Sequence, residues 1–233
     1  MPVDAGGIKL GGEHHIRENL FRMYNALDPN SGTSTTFHDI SGNGNDSTGG
    51  VQPTWSNYYY DFDGTDDYFE MPPTSFTEDD AFSFEIWVYF DAVANPRGGV
   101  FMQGLTTDSY GFDQSGGNLR FGVRPGSTLY KVEHAITTSE WLHYVGTFEG
   151  NGEDSLITLY FNGAEVGTED MLDSGLNASS DNLLMGHSNI MGGNTSGADT
   201  INGRIACGRI YDRELSQDEA IYNFNVDRGV FGV

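Results

Sequence analysis

Residues 82–90 read Phe-Ser-Phe-Glu-Ile-Trp-Val-Tyr-Phe, which puts Phe82, Phe84, Ile86, Val88 and Phe90 on one side and Ser83, Glu85, Trp87 and Tyr89 on the other. A two-residue period is the pleat of a β-strand, because successive Cβ atoms leave opposite faces. Trp87 and Tyr89 mean that the second face is not simply solvated. Residues 141–148 and 156–161 read as further strands, and the latter runs into Asn162-Gly163 and then 164–168. Asn-Gly between strand-like runs predicts a tight hairpin, since both central residues of such a turn take positive φ. Turns rich in Gly, Asn and Asp recur at 41–50, 95–99, 113–118, 150–154 and 192–199. Strands at this spacing predict an all-β sandwich or barrel rather than alternating strands and helices. The one helical signal is a capping box, Ser216-Gln217-Asp218-Glu219, which predicts a short C-terminal helix of a turn or two through Tyr222.

Aromatic residues make up 13% of the 233 residues, enough to build a core. The length suits one undivided all-β domain, which commonly runs to about 200–250 residues. Residues 1–19 differ in character from the rest of the chain, with Gly6-Gly7, Gly11-Gly12 and His14-His15, and read as an N-terminal arm preceding a domain over 20–233. A Gly-rich segment orders only when something holds it, so the arm is expected to dock on another chain.

The net charge of −23 and a pI near 4.2 argue against binding a phosphate backbone and against attraction to anionic membranes. No stretch approaches the roughly 18 apolar residues of a membrane helix, and residues 1–12 lack the basic and apolar regions of a signal peptide. Cys207 is the only cysteine, so no disulfide forms within the chain.

The carboxylate excess suits divalent cations. Asp39, Ser41, Asn43 and Asn45 alternate through a Gly-punctuated loop beside Asp46, and Asp63, Asp66 and Asp67 crowd a second turn. Calcium takes six to eight oxygens from such groups, yet Asp, Asn, Ser and Gly are also the turn formers, and both readings stand. Trp55 and residues 58–60 form the densest aromatic cluster. If Tyr60 and Phe62 face the core, Tyr58 does too, leaving Tyr59 and Trp55 as exposed candidates for stacking on a sugar ring. His14 and His15 would face opposite sides of a strand, and His143 reads as a structural hydrogen-bonding group. Asn45, Asn177 and Asn194 open Asn-x-Ser/Thr triplets but read as turn residues. Nucleophile-elbow, zinc and phosphate-loop motifs are absent from the sequence.

Several stretches occur in a family's order: 22–46 with Asp39-Ile40-Ser41-Gly42-Asn43-Gly44-Asn45-Asp46, then 60–69 with Phe62-Asp63-Gly64-Thr65-Asp66-Asp67-Tyr68, the 82–90 strand, and 203–216. Together they resemble the laminin-G-like branch of the concanavalin A-like superfamily, in the variant seen in marine microbial and tailed-phage structural proteins. The resemblance spans roughly 20–226 and implies a jelly roll of two packed antiparallel sheets, often with a bound calcium, and a binding rather than catalytic role. Gly208, where the family has a β-branched residue, suggests a bulge. The superfamily's retaining glucanases carry Glu-x-Asp-x-Glu on one strand; here Glu78-Asp79-Asp80-Ala81-Phe82 starts the pattern and Phe82 ends it, while Glu85 is followed by Trp87. The expectation is a non-catalytic surface component of a tailed-phage virion, homo-oligomeric, contacting other virion proteins through residues 1–19 and a cell-surface glycan through Trp55 and Tyr59. The alternatives are an extracellular or cell-surface carbohydrate-binding or adhesion protein of a marine bacterium and, more remotely, a glycoside hydrolase.

Overall fold

The computed structural model describes residues 15–28, 30–32, 35–93, 97–104, 107–172, 175–188 and 199–233. Residues 1–14, Asn194, residues 95 and 96 of the expected turn at 95–99, and all but Asp199 of that at 192–199 lie outside the described residues. Strands β1 (Leu20–Asn25), β2 (Gly49–Val51), β3 (Thr54–Ser56), β4 (Tyr59–Asp63) and β5 (Tyr68–Met71) precede the long β6 (Phe82–Ala92). A meander comes next: β7 (Arg97–Gln103), β8 (Ser109–Ser115), β9 (Asn118–Arg124) and β10 (Tyr130–Ala135). Then come β11 (Trp141–Phe148), β12 (Ser155–Phe161), β13 (Ala164–Met171), β14 (Leu183–Met185), β15 (Asn202–Tyr211) and the helix α1 (Gln217–Phe231).

The strands form two antiparallel sheets. The first has the order β13-β12-β11-β6-β15-β4-β3, with β1 also paired to β15, and the second β10-β9-β8-β7-β14-β5-β2. Their inner faces meet in an aromatic core, in which Phe84 of β6 lies 5.2 Å from Phe101 of β7 and Phe82 lies 4.9 Å from Tyr110 of β8. This is the expected jelly-roll sandwich. Each fully buried Phe of this kind stabilises the fold by about 1.5–3 kcal/mol, which is how the chain holds together without a disulfide. Cys207 is a buried free thiol, and burial pushes its pKa up to about 12.

The hairpin forms where the sequence places it. Asn162 (φ 50°) and Gly163 (φ 80°) turn between the paired residues Phe161 and Ala164. A Cβ at Gly163 would lie 2.9 Å from Ile221 Cα, so the turn is also pressed against α1. Gly208 corrects an expectation. The bulge lies two residues earlier, between Ile205 and Cys207 in the pairing with β6. Gly208 instead faces the core, where a Cβ would meet Met185 Cε at 2.7 Å, and the missing side chain lets the sheets approach.

Ser216 and Glu219 make the capping box reciprocally, but the helix runs for 15 residues instead of a turn or two. Its buried stripe is Ala220, Asn223, Asp227 and Phe231, at helical spacing but half polar, so hydrophobic periodicity does not reveal it. The helix lies across the outer face of the first sheet, where Phe231 stacks on Trp87 at 4.3 Å. Residues 15–19 of the expected arm pack on the domain itself: His15 is buried, and the Ile16 amide donates to Asn223 Oδ1 at 3.1 Å.

Candidate functional site

Beyond the end of α1, the outer face of the first sheet stays open. Strand register sets Arg204 of β15 between Asp61 of β4 and Tyr89 of β6, with Tyr89 in turn opposite Trp141 of β11. Cross-strand partners share a face, so these four side chains form one row across four strands. The Arg204 guanidinium stands 4.4 Å from the Tyr89 ring centroid and 5.3 Å from that of Tyr59, and donates to Asp91 Oδ1 at 3.1 Å. Trp141, nearly buried, floors the row at 5.6 Å from Tyr89 and 6.0 Å from Tyr59. Tyr58, Tyr59 and Tyr89 are half-buried, while the Arg204 Nε is buried with no hydrogen-bond partner. Burial, with the charges of Asp91 and Asp63, raises the Asp61 carboxyl above the usual carboxylate range despite Arg204. Rigid aromatic faces beside a guanidinium and carboxylates can stack on the C–H face of a sugar ring and hydrogen-bond its hydroxyls.

Tyr59 belongs to this platform; Trp55 does not. Trp55 pairs with Tyr60, which faces the core, so its ring goes to the opposite side from Tyr59. There its Nε1 donates to the Ala26 carbonyl at 3.0 Å, and its ring occupies the space a Cβ on Gly32 would need. Tyr58 does not face the core as alternation predicts. Asn57 takes positive φ (52°) between β3 and β4, which breaks the two-residue period, and Tyr58 lies edge-on to Tyr59 at 4.9 Å.

The two acidic loops differ. Both Asp39 oxygens face donors: the Met23 amide at 3.0 Å and the Ser41 amide at 2.9 Å on one, the Asn45 amide at 3.0 Å and its Nδ2 at 3.1 Å on the other. Burial pushes this carboxyl up, but the amides outweigh it and hold the pKa below the usual range. Asp46 accepts from the Asp39 amide at 2.7 Å and pairs with His38 Nδ1 at 3.0 Å. Asn43 Nδ2 donates to the Leu20 and Phe21 carbonyls, tying the loop to β1. Asp39, Asn43, Asn45 and Asp46 thus act as the caps of a tight loop, and both Asp39 oxygens are already taken up by N–H donors. At the second turn, Asp63, Asp66 and Asp67 offer carboxylate oxygens within 4.8 Å of one another. Asp67 Oδ2 accepts from the Asp63 amide, and Asp63 Oδ1 from that of Thr65. Burial and the neighbouring negative charges raise the Asp67 carboxyl. A hard cation would relieve that repulsion, and these three carboxylates fit one.

A second cluster, which sequence reasoning missed, is sealed beneath α1. Arg209 reaches Glu85 and, at 2.8 Å, Asp227; Glu85 Oε1 also meets His143 Nε2 at 2.9 Å, and His15 Nε2 meets Asp227 at 2.8 Å. Asn223 Nδ2 adds bonds to Glu85 Oε2 at 2.9 Å and to the Tyr211 hydroxyl at 3.0 Å. Glu85 and Asp227 are 1% and 0% exposed, so neither carboxylate is open to a sugar. His143 takes the structural role its strand position suggests. The available signal was Asn223 and Asp227 at i, i+4, in register with Ala220 and Phe231.

A family model described as Laminin_G_3, concanavalin A-like lectin/glucanases superfamily, matches residues 63–220. The chain belongs to this superfamily. No curated protein matches it. Among solved structures, the concanavalin A-like sandwich is similar to the botulinum neurotoxin serotype G binding domain, at 15% identity and a TM-score of 0.70, covering 90% of this chain and 51% of that one. It is also similar to the binding domain of botulinum neurotoxin DC, solved in complex with rat synaptotagmin II (15% identity, TM-score 0.69, 90% and 52% covered). The same domain in complex with SialylT matches at 15% identity and a TM-score of 0.68, again over 90% and 52%. The chain spans about half the length of these structures, and at such identity the likeness is one of fold.

Proposed function

We propose that this chain is a non-catalytic glycan-binding module that engages a sugar on the open row of the first sheet. The observation that carries the reading is Arg204 held between Tyr59 and Tyr89, with Asp61 and Asp91 beside it and Trp141 below. Aromatic platforms with a few convergent polar groups are the usual form of a sugar site. The sealing of Glu85 and Asp227 under α1 removes these two carboxylates from glycoside hydrolysis, which needs carboxyl groups flanking an accessible bond.

In the same reading the module is a surface component of a tailed-phage virion, homo-oligomeric, with the part of the N-terminal arm that precedes His15 contacting other virion proteins. That placement is supported by the motif variants at 39–46 and 62–68; an adhesion protein of a marine bacterium is the second reading. A glycan array probed with the wild type, Tyr89→Ala and Tyr59→Ala tests the binding role. Wild type should retain a defined glycan, and either truncation of an anchoring aromatic should weaken it about tenfold or more. Failure to retain any glycan, or retention by both variants equal to that of the wild type, refutes the platform. Sedimentation of the protein with purified particles rather than with a cell-surface fraction decides the placement.

A further inference from the structure

The open edges of the sandwich differ in charge. At one end of the first sheet, β13 carries Glu165, Glu169 and Asp170, all exposed. Charges on an exposed edge discourage further pairing there. At the other end, β3 closes the first sheet and β2 the second. Residues 47–60, which contain both, include no Asp, Glu, Lys or Arg, in a chain of which 19% is charged.

A cavity opens beside β2. The Ser47 amide donates to the Phe37 carbonyl at 2.9 Å, and the Ser47 hydroxyl accepts from the Phe37 amide at 2.7 Å. Past this pair, Thr35 and Thr36 on one segment and Thr48, Gly49 and Gly50 on the other line a hollow of about 210 Å³, which Gln52 and the buried Phe69 complete. A single water needs only about 10–15 Å³ of such space, so there is room for a ligand of many heavy atoms. Thr35, Thr48, Gly49, Gly50 and Gln52 are exposed, so the hollow opens to solvent. Glycine is required at 50, where φ is 119° and a Cβ would run into the Tyr68 carbonyl oxygen, so this wall stays bare backbone. Since β2 ends its sheet, the backbone groups along its outer edge have no strand neighbour. The Ser47 hydroxyl, having accepted from Phe37, keeps its own proton to donate. Thr48 Oγ1 reaches the Glu70 carbonyl only at 3.5 Å.

We propose that this hollow is a second binding site, which takes one neutral hexopyranose ring. Hydroxyls and a side-chain amide both donate and accept hydrogen bonds, and so do the hydroxyls of a sugar, so the lining and the ligand match without any charge. None of the lining residues is ionisable, so neither an acidic nor an amino sugar meets a counter-charge there. The net charge of −23 weighs further against the acidic one. A neutral ring can also enter without stripping water from a charged side chain, which would be costly. The hollow belongs to the second sheet, shares no residue with the aromatic row on the first, and does not rest on that row binding anything.

Amide NMR titrations of the whole protein with glucose, galactose and mannose, and with sodium glucuronate as a charged counterpart, test this directly. At least one of the three neutral hexoses should shift the amides of residues 36, 48, 49 and 50 saturably below about 100 mM, with glucuronate at least about tenfold weaker. Thr35→Val combined with Thr48→Val removes two hydroxyls from exposed positions and keeps the β-branched shape. The pair should weaken the hexose about tenfold and leave the melting temperature near that of wild type. Should the pair melt well below wild type, Thr48→Val alone is read instead, with a loss of about threefold expected. Tyr89→Ala should leave the response intact. The proposal is overturned if no hexose saturates these shifts, which would make the hollow a place for water alone, or if glucuronate binds as tightly. It is equally overturned if the threonine variants bind like wild type, or if Tyr89→Ala abolishes the shifts, which would assign them to the aromatic row.

Discussion

Under α1, Arg209 reaches two carboxylates at once, whereas on the other sheet Arg124 reaches none among the described residues. Both guanidiniums project from outer faces of the same sandwich, and the difference is cover. Arg209 has no exposed side-chain surface, so water cannot solvate it, and the fold supplies Glu85, Asp227 and their hydrogen-bonding partners instead. Arg124, on β9, keeps part of its side chain exposed, and water reaches it there. A cation that is sealed must be paired to exist; a cation that water reaches need not be.

Arg209→Met attacks the sealed side and should have the largest effect. It leaves Glu85 and Asp227 buried without their cation, at a cost of about 3–5 kcal/mol. Urea denaturation would show a large drop in midpoint, against no drop for Arg124→Gln. Replacing Glu85, Arg209 and Asp227 together by apolar residues should recover most of the loss, since a whole buried ion cluster is worth little more than good packing. If Arg209→Met alone is neutral, the two faces do not differ in the way described.

Acid should separate the faces next. Burial alone would raise the Glu85 and Asp227 carboxyls, but Arg209, with hydrogen bonds from the histidines, holds both down at about 2. Carboxyls depressed on folding contribute stability that is full above their unfolded pKa, near 4, and is lost as pH falls through 2. Each contributes about 2–3 kcal/mol on that account. His15 is likewise lowered, by burial first and then by Arg209, so its contribution begins to fade as pH drops below about 6.5. Melting temperature followed from pH 7 to pH 2 should therefore fall, less steeply in Glu85→Gln than in wild type. Parallel curves for the two proteins would remove the network from the explanation.

The same division separates the features legible in the sequence from those it hid. The 82–90 alternation, Asn162-Gly163 and the capping box are local signals, set by pleat, turn and cap geometry over two to nine residues, and the structure realises them. The extent of α1 was hidden because Asn223 and Asp227 interrupt its apolar stripe, and they are polar only because Glu85 and Arg209 lie beneath, more than a hundred residues away or on another strand. Trp55 was misplaced beside Tyr59 because one positive φ at Asn57 resets the alternation. Arg204 and Tyr89 come together through register across separate strands, which no local pattern encodes.

The smallest expected effect concerns the acidic turn at the end of β4, two residues along from Asp61 on the same face. Asp63, Asp66 and Asp67 bring carboxylate oxygens within 4.8 Å of one another in the open, where water and salt already screen them. A calcium ion bound there only in the folded state stabilises by mass action, about 1.4 kcal/mol at a tenfold excess over Kd. Any divalent ion also screens the net charge of −23, so a gain in calcium alone is uninformative. Calcium and magnesium at equal ionic strength screen alike, but magnesium demands tighter octahedral geometry and sheds its water reluctantly. A site built from three side chains on one turn, without octahedral geometry, therefore favours calcium. The melting temperature should be higher in calcium than in magnesium, Asp66→Asn should erase the difference, and Asp39→Asn, which removes a loop cap, should lower both values while preserving it. Equal melting temperatures in the two salts would make the turn, like the Asp39 loop, a place where carboxylates serve the backbone and not an ion.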